Sequence, residues 1–310
     1  MLAATLLAAC GGSDGIDDVP EGGDWSGDTQ QKEIRIISNI NSMPDGTRTT
    51  TYSSAADLQA VGQFTCAAYE ANTTTAYINP ANTTTDWTGS GWVFKNRANP
   101  ETIEHYDWPA GDLDFFAYMP SAGRLSADAK YINSPGPVYT PATHTVTFSC
   151  DMTKSANKEF VFGMTLGKNS ANGATGVPIQ FIHPFARIRF QLSDASKDNV
   201  TINSITFSGN FCKTANYSYD GTTSTWTPSG TATAVEFGSC ELNTDYLVIP
   251  QTPGSRTLTV NATWKAISTA PQNVSTTIEL DWQTGYSYTY ILTLKDNILI
   301  VNTSKFTEQW

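Results

Sequence analysis

The chain has 310 residues, enough for about two domains at the usual ~150 residues each. It is 39% hydrophobic and only 15% charged, with Thr, Ser and Asn taking the place of charge, a balance that suits globular β-structure rather than disorder. The net charge of -11 repels phosphate backbones and anionic lipid surfaces, which argues against a nucleic-acid partner and against electrostatic docking on a membrane.

The chain begins Met1-Leu-Ala-Ala-Thr-Leu-Leu-Ala-Ala-Cys10, which reads as the end of a secretory apolar region followed by a small-residue cleavage site. No Lys or Arg precedes that run, so the true start either lies upstream or has been trimmed. Leu7-Ala8-Ala9-Cys10 resembles a bacterial lipobox, in which Cys10 carries the lipid. Residues 1–9 are then the signal-peptide end, and the small, acidic stretch 10–30 is a flexible tether. No apolar run reaches the ~20 residues that a membrane-spanning helix needs.

Past the tether, apolar residues recur at every second position, the signature of half-buried strands. Ile34, Ile36 and Ile40 share one face of a first strand, Glu33–Ile40. After it, Asn41-Ser-Met-Pro-Asp-Gly-Thr-Arg48 is a polar loop suited to proteolysis if it is exposed. Further strands are predicted at Gly62–Tyr69, Trp92–Lys95, Leu113–Met119, His144–Cys150, Phe160–Leu166 and Val177–Phe181. Gly167–Gly176 is a small-residue loop, and the boundary between two β-domains is placed after it, giving 31–180 and 181–310.

In the second half, Ala186, Ile188, Phe190 and Leu192 oppose Arg187, Arg189 and Gln191, so the two arginines are expected in water. In Val200, Ile202, Ile205 and Phe207 the phase slips by one, which indicates a bulge. Asp220-Gly221 sits between Tyr217-Ser-Tyr219 and Trp226, a hairpin signal. Tyr246–Pro250, Leu258–Trp264, Val274–Trp282 and Tyr286–Leu294 complete the set. Short strands with Gly, Pro and Asn punctuation give an all-β fold of antiparallel β-sandwiches rather than βαβ units.

The remaining cysteines, Cys66, Cys150, Cys212 and Cys240, contain no C-x-x-C pair. Cys212 and Cys240 flank the predicted hairpin and are the preferred disulfide; the alternative is that all four are small buried hydrophobes. The chain lacks H-E-x-x-H, P-loop and G-x-G-x-x-G motifs. Gly11-Gly-Ser13-Asp-Gly15 matches a nucleophile elbow formally, without the strand and helix that such an elbow needs. Glu101, Glu104, His105 and Asp107 read as a solvated turn in preference to a metal site. Trp25, Trp87, Trp92, Trp108 and Trp226 are candidates for stacking on sugars, and Trp87 and Trp92 flank Thr88-Gly-Ser-Gly91; packing is the expected role of these tryptophans, and sugar stacking is the alternative. The residues therefore point to no enzyme, no cofactor and no metal.

Three segments taken together resemble the fimbrillin-like proteins of Bacteroidales. Trp108-Pro-Ala-Gly-Asp-Leu-Asp-Phe-Phe-Ala-Tyr-Met-Pro120 resembles their W-P…L-x-F-x-A-Y-x-P segment. Ile179-Gln-Phe-Ile-His-Pro-Phe-Ala-Arg-Ile-Arg-Phe190 resembles F-x-H-x-x-A-[KR]-[IV]. Trp282-Gln-Thr-Gly-Tyr-Ser-Tyr288, continuing to Leu294, resembles W-x-x-G-x-x-Y-x-Y-x-L. The resemblance implies two tandem transthyretin-like β-sandwich domains, export as an outer-membrane lipoprotein, and assembly of a cell-surface fimbria. In that scheme a processing protease cuts after Arg48 and the strand bearing Ile34, Ile36 and Ile40 leaves. A strand from another fimbrial subunit then fills the groove. The candidate donor is the tail Ile298–Trp310, with Ile298, Ile300, Phe306 and Trp310; a tail that stays in its own sheet would suit a tip or anchor subunit. A surface lipoprotein that binds glycans without polymerising is the alternative.

Overall fold

The computed structural model describes residues 33–40, 52, 54–71, 73–154, 159–196, 198–231, 233–238, 242–265, 270–295 and 298–305. Strands form wherever the period-two pattern runs. The first are β1 (Ile36–Ile40), β2 (Gln63–Glu70), β3 (Ala76–Ile78), β4 (Thr83–Trp87), β5 (Trp92–Asn96), β6 (Ile103–Glu104) and β7 (Leu113–Met119). Next come β8 (Val138–Thr140), β9 (Thr145–Asp151), β10 (Val161–Lys168), β11 (Val177–Phe181), β12 (Ala186–Leu192) and β13 (Val200–Phe211). The last are β14 (Thr214–Tyr219), β15 (Ser224–Pro228), β16 (Thr233–Gly238), β17 (Asp245–Val248), β18 (Gly254–Trp264), β19 (Gln272–Leu280), β20 (Ser287–Lys295) and β21 (Ile298–Lys305). Among the described residues, two short α-helices, α1 (Ala55–Val61) and α2 (Leu125–Asp128), and a 3-10 turn at Pro141–Thr143 interrupt them. The Ser54 hydroxyl caps α1 by accepting the Asp57 N–H at 3.2 Å, and Gly62 at φ +77° ends it.

Nine strands follow the path β10-β7-β2-β4-β5-β1-β11, with β3 added to β2 and β6 to β5. The two ends of the path meet, because Phe162 and Ile182 exchange a pair of backbone hydrogen bonds. The path therefore wraps a core of Ile36, Ile40, Phe64, Phe94, Trp108, Phe115, Met119, Ile179 and Phe181. β7 is buried along its whole length. Leu113, Phe115, Ala117 and Met119 face this first core. Phe116 and Tyr118 face a second one, so β7 carries apolar side chains on both faces, as a strand covered on two faces needs, with the buried Asp114 the exception.

The second core lies under the sheet β15-β14-β9-β8 and holds Phe116, Tyr131, Phe148, Phe160, Phe162, Phe185, Tyr217 and Ile249. A third core separates two four-stranded sheets, β17-β12-β20-β21 and β16-β13-β18-β19. It holds Phe190, Phe207, Phe211, Val260, Trp282, Tyr290 and Leu292, among others, and among the described residues draws none from before Ala186.

Three details refine the sequence reading. The slip in β13 is a bulge, since Ile202 faces Ala262 while Ser204 faces Asn261. Arg187 and Arg189, expected in water, are buried instead. Asp245 of β17 lies against both, 3.1 Å from Arg187 Nη1 and 2.7 Å from Arg189 Nε, and a shared carboxylate is what lets two guanidinium groups leave water. Not all pairs are antiparallel: β12 runs parallel to β20 and β1 runs parallel to β11.

Candidate functional site

The first strand is the part of the fold that the sequence marks for function. Along β1, side chains alternate in and out. Ile34, Ile36 and Ile40 point into the first core together, while Ile37 is 49% exposed. Ser38 also points inward, where its hydroxyl accepts the Trp92 indole N–H at 2.8 Å. That bond satisfies both polar groups in an otherwise apolar slot.

The backbone of β1 is held unequally on its two edges. Against β11 the pairing runs from Ile36–Val177 to Ile40–Phe181 without interruption. Against β5 it is the single pair Ile36–Trp92. Gly176, at φ +121°, comes just before β11; a Cβ there would lie 2.8 Å from the Ile37 side chain. The positive φ is what favours glycine there, since residues with a Cβ rarely adopt it.

The two ends of β1 are fixed by separate groups. On the N-terminal side, Ile34 donates its N–H to the Tyr106 carbonyl at 2.8 Å, and the Glu33 carboxylate lies 2.5 Å from His105 Nδ1. His105 is thus engaged with Glu33, while Glu104 accepts the Asn96 amide at 2.7 Å. Among the described residues, no group of three His, Cys, Asp or Glu side chains could hold a metal ion. Beyond the C-terminal end, the chain re-enters the first core at Tyr52, which is buried. The Tyr52 N–H is also a hydrogen-bond donor to the Glu159 carboxylate. Glu159 and His183 are both fully buried, 2.8 Å apart. Burial pushes the Glu159 carboxyl above its ordinary value, against the opposing pull of His183, Arg187 and the Tyr52 N–H.

At the other end of the chain, β21 pairs with β20 without a break, from Lys295–Ile298 to Tyr288–Lys305. It is the edge strand of its sheet. Leu299 is buried in the third core, while Ile298 and Ile300 are 60% and 53% exposed.

The structure therefore gathers Ile34, Ile36 and Ile40 on one face and sets Ile298 and Ile300 on the open side of an edge strand. Cys10, Arg48, Cys240, Phe306 and Trp310 lie outside the described residues, so the expected lipid site, cleavage site and donor tip are not located. Cys212 is a half-buried free thiol. Of the tryptophans weighed for sugar stacking, Trp92 and Trp108 are buried, Trp226 packs against the second core, Trp87 lies 5.3 Å from Trp92, ring to ring, and Trp25 lies outside the described residues. Sequence reasoning missed the Ser38–Trp92 and Glu33–His105 contacts; the only hint of the first is a polar residue at an inward position of the alternation.

Comparison with known proteins gives a consistent result. No curated protein matches the chain. Among solved structures, the chain is similar to a fimbrial protein from Bacteroides vulgatus, at 13% identity with a TM-score of 0.55 over 90% of this chain and 99% of that one. It is also similar to a candidate cell adhesion protein from Bacteroides uniformis, at 15% identity with a TM-score of 0.54 over 90% and 98%. At such identities the likeness is one of fold. A family profile described as fimbrillin-like matches residues 47–310, and the chain accordingly belongs to the fimbrillin-like family.

Proposed function

We propose that this protein is a subunit of a cell-surface fimbria, and that β1 is the strand it surrenders when it assembles. The observation that carries the reading is how β1 is seated. It buries Ile34, Ile36 and Ile40 yet, among the described residues, has a continuous hydrogen-bonded partner on one edge only. Removing such a strand leaves an apolar slot beside the open ladder of β11. An extended segment from another subunit would fit that slot, main-chain bonds giving affinity and alternate side chains giving specificity.

Cleavage after Arg48 is the release step in this reading. Arg48 lies in the segment that joins β1 to Tyr52, and Tyr52, anchored in the first core, stays behind. Lipid on Cys10 would hold the precursor at the outer membrane. The division into 31–180 and 181–310 belongs to the same reading, since among the described residues the third core uses none before Ala186. The tail favours one end of the fibre. For β21 to serve as donor it would have to give up its whole ladder with β20 and expose Leu299. A subunit that accepts a strand and keeps its own tail can only terminate a fibre.

Digestion of the full chain with an Arg-specific protease tests the proposal. The expected result is a cut after Arg48 and loss of the peptide that carries Ile36 from protein whose third core stays folded. An intact Arg48 in protein that remains folded, under conditions that cleave an Arg-containing control peptide, would sink the release step.

A further inference from the structure

β13 and β16 are antiparallel neighbours in one sheet, with Ser204 facing Gly238 and Phe207 facing Val235. Strands so placed need only a short turn between them. Instead the chain leaves the sheet at Cys212 and builds β14 and β15 in a different sheet, against β9, before it returns to β16. The pairing with β9 is complete, from Thr214–Asp151 to Tyr219–Val146. The hairpin turns on Asp220, whose carboxylate accepts the Thr222 and Thr223 N–H groups at 3.0 and 2.7 Å, and on Gly221 at φ +94°.

The excursion also completes a core that otherwise takes from the second half of the chain chiefly Phe185, Leu247 and Ile249. The Tyr217 ring stacks on Phe148 at 4.7 Å, and Trp226 lies 5.3 Å from Phe185. Its root is tied down as well. Cys212 donates its N–H to Gln251 Oε1 at 3.1 Å and accepts from Gln251 Nε2 at 3.2 Å. The Trp226 indole N–H donates to the Thr284 hydroxyl at 3.1 Å. Without the excursion, β9 would have an open edge and Phe148 and Cys150 would lose their cover.

We infer that residues 212–231 are an intramolecular strap that makes the two halves of the chain unfold as one cooperative unit. Its effect is one-sided. Tyr217 and Ala215 belong to the second core and none of β14 or β15 to the third, so loosening the strap opens the first half and leaves the β12–β13–β18–β20 core standing. β1 contributes nothing to the second core, so the strap still holds the two halves together if β1 departs. The inference does not depend on the fimbrial reading.

Amide hydrogen exchange of the full-length protein across a urea series tests it, with peptides from 113–168 and from 254–295 followed separately. In the wild type, both sets should lose protection at the same urea concentration. In Tyr217→Ala, the 113–168 peptides should exchange about tenfold faster or more while the 254–295 peptides are unchanged. Trp226→Phe, which keeps a ring in place, should show the same split at smaller size and serves if Tyr217→Ala does not fold. Two separate transitions in the wild type would overturn the inference. So would equal acceleration of both sets, or of neither, in the variants.

Discussion

The first and last described strands hold their places by opposite means. β1 has a full ladder on one side and a single bridge on the other, yet three isoleucines of its approach and body are buried. β21 has an unbroken ladder with β20, yet buries Leu299 and leaves Ile298 and Ile300 in water. Apolar burial stabilises in proportion to the area removed from water, whereas a backbone hydrogen bond nets little once its competition with water is counted. So β1 is held by its side chains and β21 by its backbone. A strand held by side chains is replaceable by any strand with the same spacing of apolar residues; a strand held by its ladder is replaceable by almost any sequence but leaves no slot behind.

Substitutions can break this contrast. The largest effect is expected from Ile36→Ala, which removes a buried side chain and leaves a cavity that the surrounding sheet cannot close; urea unfolding should show a loss of about 3 kcal/mol. A loss below about 1 kcal/mol would mean that β1 is not held by its buried face. Ser38→Ala comes next. It strands the buried Trp92 indole N–H, an unsatisfied donor that costs about 1–2 kcal/mol. Ser38→Thr, which keeps the hydroxyl, should recover part of that loss, and Trp92 emission should shift only in the alanine variant.

A third effect is one of slope. The buried Glu159 carboxyl titrates above its ordinary value of 4.5, so between that value and its higher folded one the native state holds a proton that the unfolded chain has released. Stability should therefore fall as pH rises through that window. Glu159→Gln should flatten the decline over the same window, as followed by thermal unfolding from pH 4 upward. An unchanged slope would mean that another group carries it.

How far these features could be read from sequence depends on whether their cause is local. The alternation Leu258, Val260, Ala262, Trp264 is local, and so is the slip at Ile202–Ser204; both appear in the structure where the pattern puts them. Helix α1 was not read from the sequence, because its short length and single buried residue, Leu58, give no helical period to detect. The hairpin at Asp220-Gly221 was legible while its destination was not, because the choice of β9 as partner leaves no mark on residues 214–228. The same holds for the buried arginines, whose partner Asp245 lies more than fifty residues away in sequence. At β1 the inward isoleucines were legible; the imbalance between its two edges depends on β5 and β11 and could only be seen in three dimensions.

The smallest expected effect is the sharpest test of the contrast. Ile300 faces outward from β21, opposite Thr293 in the ladder, and 53% of it is already in water. Ile300→Ala should therefore change stability by no more than about 0.5 kcal/mol, although it deletes the same atoms as Ile36→Ala. β-branched residues favour strands, and alanine gives up part of that preference, so the small change should be a loss. A loss as large as that of Ile36→Ala would mean that the outer face of β21 is covered in solution, by a second copy or by the residues beyond Lys305, and sedimentation of the variant against the wild type would separate those two: only contact between copies changes the mass of the particle. A change within the expected bound would leave β21 as an edge whose isoleucines contribute nothing to the isolated subunit.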